Sequence, residues 1–408
     1  MVLDPHRINL GVNINPNIIE LEEILKAAKI ADSNSIDIIG IQDHPYIGFF
    51  FDTWTLISFL ASLTSKVSFM TKRASLAPSR DWVKFLNSLN YINMKRVPIW
   101  GNQKYIPESL RSKMRRQILV RDRGNGLKTQ PVVYRWTNGA GRIILTSNEV
   151  MKMKAVNHKP MIRPKGTLAL QDREEVRNVA NLPLRTPQII AKSFASLDIL
   201  TKGRIELGIG AGANRDAIEA YGGPKRSTKE GIEALEEGIN VIKMLWGVGA
   251  KTKIVSYNGK YYFLKNAYPG PKPFHDIKII IGANGPRMLD LTGKLGDGWS
   301  ISMFYFLPDE LKDKIKILEE SCKKYGRDVN SLIKIYNIAG VITEERTGIQ
   351  IDKNNLLFAN HEEWAEFIIK IYKDLKMNTF IFWPSSKNKS EQIKTFSEKV
   401  KEIIKNSI

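Results

Sequence analysis

The chain has 408 residues, 43% hydrophobic and 25% charged, which excludes a disordered or fibrous protein and provides for a large core in one or two globular domains. A single cysteine, Cys322, excludes a disulfide framework or a cysteine-rich zinc site and fits a reducing, cytoplasmic setting. The net charge of +20 is concentrated: Lys72 to Arg177 holds 23 Lys and Arg against 7 Asp and Glu, while the remainder holds 39 against 35.

No export signal opens the sequence, because Asp4, His6 and Arg7 interrupt it before any apolar run. The nearest approach to a membrane span, Gly48 to Leu63, contains Asp52 and falls short of the roughly 20 apolar residues needed, so no membrane partner is expected. Taken in order, β-branched runs predict strands over Ile8–Ile14, Ile36–Gln42 and Lys66–Met70, and helical spacing predicts helices over Ile18–Asp32 and Thr53–Leu63. Beyond the basic stretch, helices are predicted over Pro187–Leu200, Thr228–Leu245, Pro286–Leu295, Pro308–Tyr325, His361–Leu375 and Ser390–Ile404. Strands are predicted over Arg204–Ile209, Lys278–Ile281, Trp299–Met303, Ile333–Ile342 and Thr379–Phe382. Repeated βα units imply parallel strands, and about eight of them fit an α/β fold, a closed (β/α)8 TIM barrel; an open doubly wound sheet is the alternative. Both architectures place ligands at the carboxyl ends of the strands.

Three strand ends carry candidate chemistry. Asp43 and His44 follow the second strand, where an imidazole can hydrogen-bond a redox ring or pass a proton; the plainer alternative is a turn-capping Asp beside a packed His. Gly208, Gly210 and Gly212 end the fourth strand and permit close backbone approach to a ligand, although their spacing is not that of a dinucleotide fingerprint and a tight turn also explains them. Gly282-Ala283-Asn284-Gly285-Pro286-Arg287 leads from the fifth strand into a proline-initiated helix, either as a phosphate site or as an ordinary turn. His6 and His158 have no clustered partners, so no metal site is expected.

In this order, Ile41-Gln42-Asp43-His44-Pro45-Tyr46, Asn181-Leu182-Pro183-Leu184-Arg185-Thr186-Pro187 and the run from Ala195 to Gly212 resemble the luciferase-like superfamily of flavin- and deazaflavin-dependent oxidoreductases. Gly222-Gly223-Pro224, Gly285-Pro286-Arg287-Met288-Leu289 and Leu295-Gly296-Asp297-Gly298-Trp299 continue the resemblance, which covers nearly everything except the basic stretch. It implies a (β/α)8 barrel that binds FMN or the deazaflavin coenzyme F420 and transfers hydride to or from a small-molecule substrate, or uses reduced flavin for monooxygenation. The form Gln-Asp-His-Pro, with the later Gly-Gly-Pro, is closer to the deazaflavin-using branch. Carried over, His44 and Asp43 would face the ring and substrate, and Gly210, Ala211 and Gly212 would line the cofactor site. Gly282, Ala283, Asn284, Gly285 and Arg287 would hold its phosphate. Homodimers are also implied.

Joining Thr71 to Asn178 restores an unbroken third strand and loop, so 1–71 and 178–408 read as the barrel and 72–177 as one insertion of unknown fold. The resemblance places a bulge against the ring face here, at Thr71, Asn178 and Val179, where the insertion would displace it. Within the insertion, Asp81–Tyr91 and Glu108–Val120 suggest short helices, and Trp82, Trp100 and Trp136 interleave with basic residues. Its patchy apolar periodicity favours a poorly packed segment without its own function; an oligomerisation insert or a nucleic-acid surface is the alternative. An interrupted, inactive barrel is a further reading.

Overall fold

The computed structural model describes residues 3–72, 180–212, 214–248 and 253–407, and the backbone of two strands at 132–135 and 142–145. Contacts divide the chain into two units, Met1–Ala77 with Arg173–Ile408, and Pro78–Asp172. In the second unit, Val132–Arg135 pairs antiparallel with Arg142–Leu145; the two helices suggested there, at Asp81–Tyr91 and Glu108–Val120, lie outside the described residues.

Eight parallel strands close the first unit into a barrel, as the alternation predicts. They are β1 (Asn9–Ile14), β2 (Ile38–Gln42), β3 (Ser68–Lys72), β4 (Ile205–Gly210), β5 (Ile279–Gly282), β6 (Gly298–Ser302), β7 (Ile333–Thr343) and β8 (Thr379–Pro384). Each pairs with the next, and β8 pairs with β1, so the open-sheet alternative does not hold. Tracing paired residues once round the barrel ends eight residues from the start, the shear of an eight-stranded (β/α)8 barrel.

Helices α1 (Leu21–Ser33), α2 (Thr53–Ser62), α3 (Pro187–Thr201), α4 (Thr228–Leu245), α5 (Pro286–Leu295), α6 (Leu311–Lys324), α7 (His361–Leu375) and α8 (Lys389–Thr395) accompany the strands. Their ends are written locally. Ser227 and Glu230 form a capping box on α4, Asn360 and Glu363 form one on α7, and Pro187 and Pro286 initiate α3 and α5. The last predicted helix is interrupted by a π turn at Phe396–Val400.

The third strand begins and ends two residues later than the Lys66–Met70 expectation. The backbone N–H groups of Ser65, Lys66 and Val67 donate to the Asp32 carboxylate, which takes them out of the ladder. The sequence reading did not include the hairpin of Val255–Asn258 with Phe263–Ala267, the short helix Arg215–Ala220, or the strand Leu357–Asn360, which pairs with the upper end of β7 and with Gln350–Ile351.

Strand positions alternate between the helical shell and the lumen. Leu10, Val12, Ile39, Ile41, Leu207 and Ile209 pack outward against the helices. Ile38, Met70, Ile280, Ile335 and Ile381 form a separate inner cluster, closed below by Leu3. Near the amino end of β4, Arg204 donates to the carbonyls of Ala61, Thr64 and Val67 and so ties the end of α2 to β3.

Below the barrel, buried Asp198 of α3 accepts from the backbone N–H and Nδ1 of His275 at 3.0 and 2.8 Å, and Glu206 of β4 lies 3.4 Å from His275 Nε2. Burial opposes charge on His275, but the bonds to Asp198 and Glu206 outweigh it and raise its pKa to about 9. Its stabilising contribution is therefore complete below the ordinary pKa of 6.5 and is lost as pH rises through about 9. We expect the wild-type chain to lose about 1–3 kcal/mol between pH 6 and pH 10, a figure discounted because the imidazole is not fully buried. His275→Gln should be less stable at pH 6 and nearly flat across this range in urea unfolding; a wild-type slope retained by the variant would remove His275 from this role.

Candidate active site

The sequence-predicted residues collect on neighbouring strands. Asp43 and His44 follow β2, Thr71 lies near the end of β3, Gly210 ends β4 before Ala211 and Gly212, and Gly282 ends β5 before Ala283, Asn284 and Gly285. Because β2, β3, β4 and β5 are adjacent, these segments form one arc of the barrel mouth. Asn178 and Val179 lie outside the described residues.

His44 is 2% exposed and its Nδ1 sits 2.9 Å from the Tyr46 hydroxyl. Its ring packs edge-on with Tyr46 and at a tilt with Phe50, at centroid distances of 5.3 and 5.9 Å, while Nε2 has no partner. Burial pushes the imidazole down to about 3, so it is neutral at any working pH. A neutral imidazole can donate or accept a hydrogen bond through its ring nitrogens but holds no extra proton to release.

Asp43 is held differently. The Arg185 guanidinium lies 3.4 Å from its carboxylate, bonds Asp52 at the start of α2, and stacks over Trp54 at 4.3 Å. Burial opposes charge on Arg185, yet the charges of Asp43 and Asp52 raise its pKa further, so the clamp stays ionised. Burial and the neighbouring Asp43 raise the Tyr46 phenol, which stays protonated and able to donate.

The β3–β4 edge is tight. Thr71 Oγ1 donates to the Gly208 carbonyl at 2.8 Å, and a Cβ on Gly208 would fall 1.9 Å from the Thr71 carbonyl oxygen, so only glycine fits. Gly212 has φ +74°, and a Cβ there would meet Pro183 at 2.8 Å. β3 pairs with β4 only as far as Met70 opposite Glu206. Beyond that point, Ala180 and Asn181 pair with Ile209 and Gly210.

At the β5 end, Asn284 is 7% exposed with Oδ1 unpartnered, and Gly285 caps α5 without a side chain. Pro286 has no N–H and those of Met288 and Leu289 donate to the Gly285 carbonyl, so an anion at this helix start would meet the backbone N–H and guanidinium of Arg287. Arg287 also borders a groove of about 530 Å³ between α4 and α5 that reaches Tyr325, past the end of α6. This groove runs down the outside of the barrel and is not a ring pocket.

Sequence reasoning missed the lumen beneath this arc. Asn13, Gln42 and Asn337 share strand faces with the inner apolar cluster, one or two positions higher on the staggered strands, and are 0–2% exposed with amide atoms unpartnered. The available signal was a polar residue breaking the apolar alternation near the end of each strand. Arg185 was visible within a motif, but nothing in the sequence brings it to Asp43. Among the described residues no group of His, Cys, Asp and Glu could hold a metal, and no helix is long and apolar enough to cross a membrane.

A closed parallel barrel with a buried, neutral imidazole and glycine turns on one arc of its C-terminal mouth defines a TIM-barrel protein with an enzyme-like site. Residues 178–347 match the family model described as luciferase-like monooxygenase, and this bears out the resemblance found in the sequence. The chain is 30% identical over 152 residues to an F420-dependent glucose-6-phosphate dehydrogenase of Amycolatopsis mediterranei, covering 36% of this chain and 44% of that protein. It is 30% identical over 190 residues to a phthiodiolone/phenolphthiodiolone dimycocerosates ketoreductase of Mycobacterium tuberculosis, covering 44% and 48%. The chain thus spans about half the length of these curated relatives. Among solved structures, an F420-dependent secondary alcohol dehydrogenase in complex with an F420–acetone adduct superposes with TM-score 0.61 at 15% identity, over 98% of this chain and 99% of that one. An EDTA monooxygenase from Chelativorans sp. BNC1 gives 0.61 at 11% identity, over 98% and 94%. At these identities the superpositions establish the fold.

Proposed function

We propose that the chain is a luciferase-like oxidoreductase that uses coenzyme F420 or FMN to move hydride to or from a small organic substrate, or for monooxygenation. The observation that carries this reading is the unpartnered Nε2 of a buried, neutral His44 at the mouth of a barrel whose later half matches the family model. The residues present fit such a cofactor: unpartnered polar atoms at His44 and Asn284, close backbone at Gly208 and Gly212, and a helix start at Gly285 with Arg287 beside it.

When bound, the flavin or deazaflavin ring supplies hydride transfer. The turn Gly210–Gly212 would let backbone approach it, Thr71 would line the site from the end of the third strand, and Gly282 to Gly285 with Arg287 would hold its phosphate. His44 Nε2 makes the hydrogen bond that orients a reacting oxygen or ring atom, and the aromatic shell of Tyr46 and Phe50 excludes water from it. Arg185 fixes Asp43 against the second strand. F420 relatives by name favour the deazaflavin, as does the Gln-Asp-His-Pro sequence.

We also propose that residues 72–177 are an insertion into the third strand, supported by the separate pairings of β3 and Ala180–Asn181 along one edge of β4. The same pairings carry a second reading, a barrel disabled at its ring face. Fluorescence titration of the full chain with F420 and with FMN tests both. Saturable binding of either supports the enzyme reading; no binding by the full chain or by a chain lacking 72–177 ends it.

A further inference from the structure

The chain leaves β2 through a tight turn. The His44 carbonyl accepts from the Ile47 N–H at 3.0 Å, with Pro45 and Tyr46 as the central pair of a β-turn whose first central position suits proline. This turn brings the Tyr46 hydroxyl to 2.9 Å from His44 Nδ1. The other ring nitrogen, Nε2, is buried without a partner.

A neutral imidazole carries one ring proton, and two arrangements fit this contact. Either Nδ1–H donates to the phenol oxygen, or the phenol O–H donates to Nδ1 and the ring proton sits on Nε2. Two observations favour the second. A phenol O–H is more acidic than a neutral imidazole N–H, and a bare imidazole nitrogen is more basic than a phenol oxygen, so O–H to N is the stronger polarity. Burial and Asp43 keep the phenol protonated, and among the described residues its hydroxyl has no hydrogen-bond partner except Nδ1. In the first arrangement the phenol hydrogen would therefore have no acceptor, and a buried donor left unmet is costly.

We propose that Tyr46 is a positioning residue that holds His44 in the tautomer with its proton on Nε2, so that His44 meets its ligand as a hydrogen-bond donor and matches an accepting atom. A neutral ring protonated at Nε2 donates there and takes up no proton there. The tautomer is a property of the free protein; that the accepting atom belongs to a cofactor or a substrate rests on the redox reading of this mouth.

Long-range proton–nitrogen correlation NMR of the full chain, with nitrogen-15 in its histidine rings and no cofactor added, reads the tautomer at pH 7. The His44 signals are those lost in His44→Gln or, should that variant not fold, those of the ring still neutral at pH 5. We expect Nε2–H to exceed Nδ1–H by about tenfold or more, the ratio that one hydrogen bond of ordinary strength sets. Tyr46→Phe, which keeps the ring, should lower this ratio at least about threefold. Placing 3-fluorotyrosine at position 46 makes the phenol a stronger donor and should move the Nδ1 resonance toward that of a protonated nitrogen. A wild-type ring protonated mainly on Nδ1, an opposite shift with fluorotyrosine, or an unchanged ratio in folded Tyr46→Phe overturns the proposal. If Tyr46→Phe unfolds, the fluorotyrosine shift decides. F420 and FMN titration of the same samples separates the two readings: cofactor binding to a ring protonated on Nδ1 overturns the role of Tyr46 only, and the expected tautomer without cofactor binding overturns the redox reading only.

Discussion

Deleting residues 72–177, so that Thr71 is bonded directly to Asn178, should yield a folded barrel that binds F420 or FMN roughly tenfold or more tightly than the full chain, a gain of at least about 1.4 kcal/mol. The reason is the register along β4. Met70 pairs with Glu206, and Ala180 pairs with Ile209. In the joined chain Thr71, Asn178 and Val179 would stand opposite Leu207 and Gly208, three residues against two, which is the count of a β-bulge. The family resemblance places a bulge at this position against the ring face, and Thr71 is already bonded to the Gly208 carbonyl as its first residue. Loop closure over a long insertion costs little in entropy, so folding of both chains is expected. Circular dichroism and fluorescence titration of the two proteins give the answer. Equal affinities would show that the insertion leaves the ring face intact, and loss of binding on deletion would show that the inserted residues are themselves part of the site.

Replacing His44 with Ala should lower turnover about 10²- to 10⁴-fold while cofactor affinity changes by less than about threefold. Removing the buried imidazole also leaves a cavity and strands the Tyr46 hydroxyl, at a cost of about 1–3 kcal/mol, so the melting temperature must be followed alongside the rate. Since burial holds this imidazole at about 3, His44 stays neutral from pH 5 to pH 8 and contributes no titration step to the rate there. Steady-state rates with the deazaflavin absorbance as readout, taken across that range for both proteins, check this. Unchanged turnover would take His44 out of the chemistry. A rate step near pH 6.5 present in the wild type and absent from the variant would contradict the neutral imidazole.

Much of the barrel was legible because its signal is periodic. Ile-rich runs such as Ile38–Gln42 and Ile279–Gly282 are buried on both faces, and amphipathic segments such as Thr228–Leu245 carry their own caps, so burial and local capping agree. The two-stranded hairpin Val255–Asn258 with Phe263–Ala267 was not legible, because half of its side chains face solvent and its partner surface is α4, where Glu237 accepts from the N–H groups of Lys260, Tyr261 and Tyr262. The strand-end motifs located His44, the Gly208–Gly212 turn and the Gly282–Arg287 segment, since glycine, proline and a polar break in an apolar run are local signatures.

The sequence by itself determined the eight βα units and the arc of the mouth that holds the candidate chemistry, because each follows from local periodicity or turn residues. Only the tertiary structure decided that His44 is neutral, that Arg185 reaches Asp43 from 142 residues away, and that Asn13, Gln42 and Asn337 share a lumen. Those facts depend on burial and on the stagger with which the strands close. Neither is a property of any one segment.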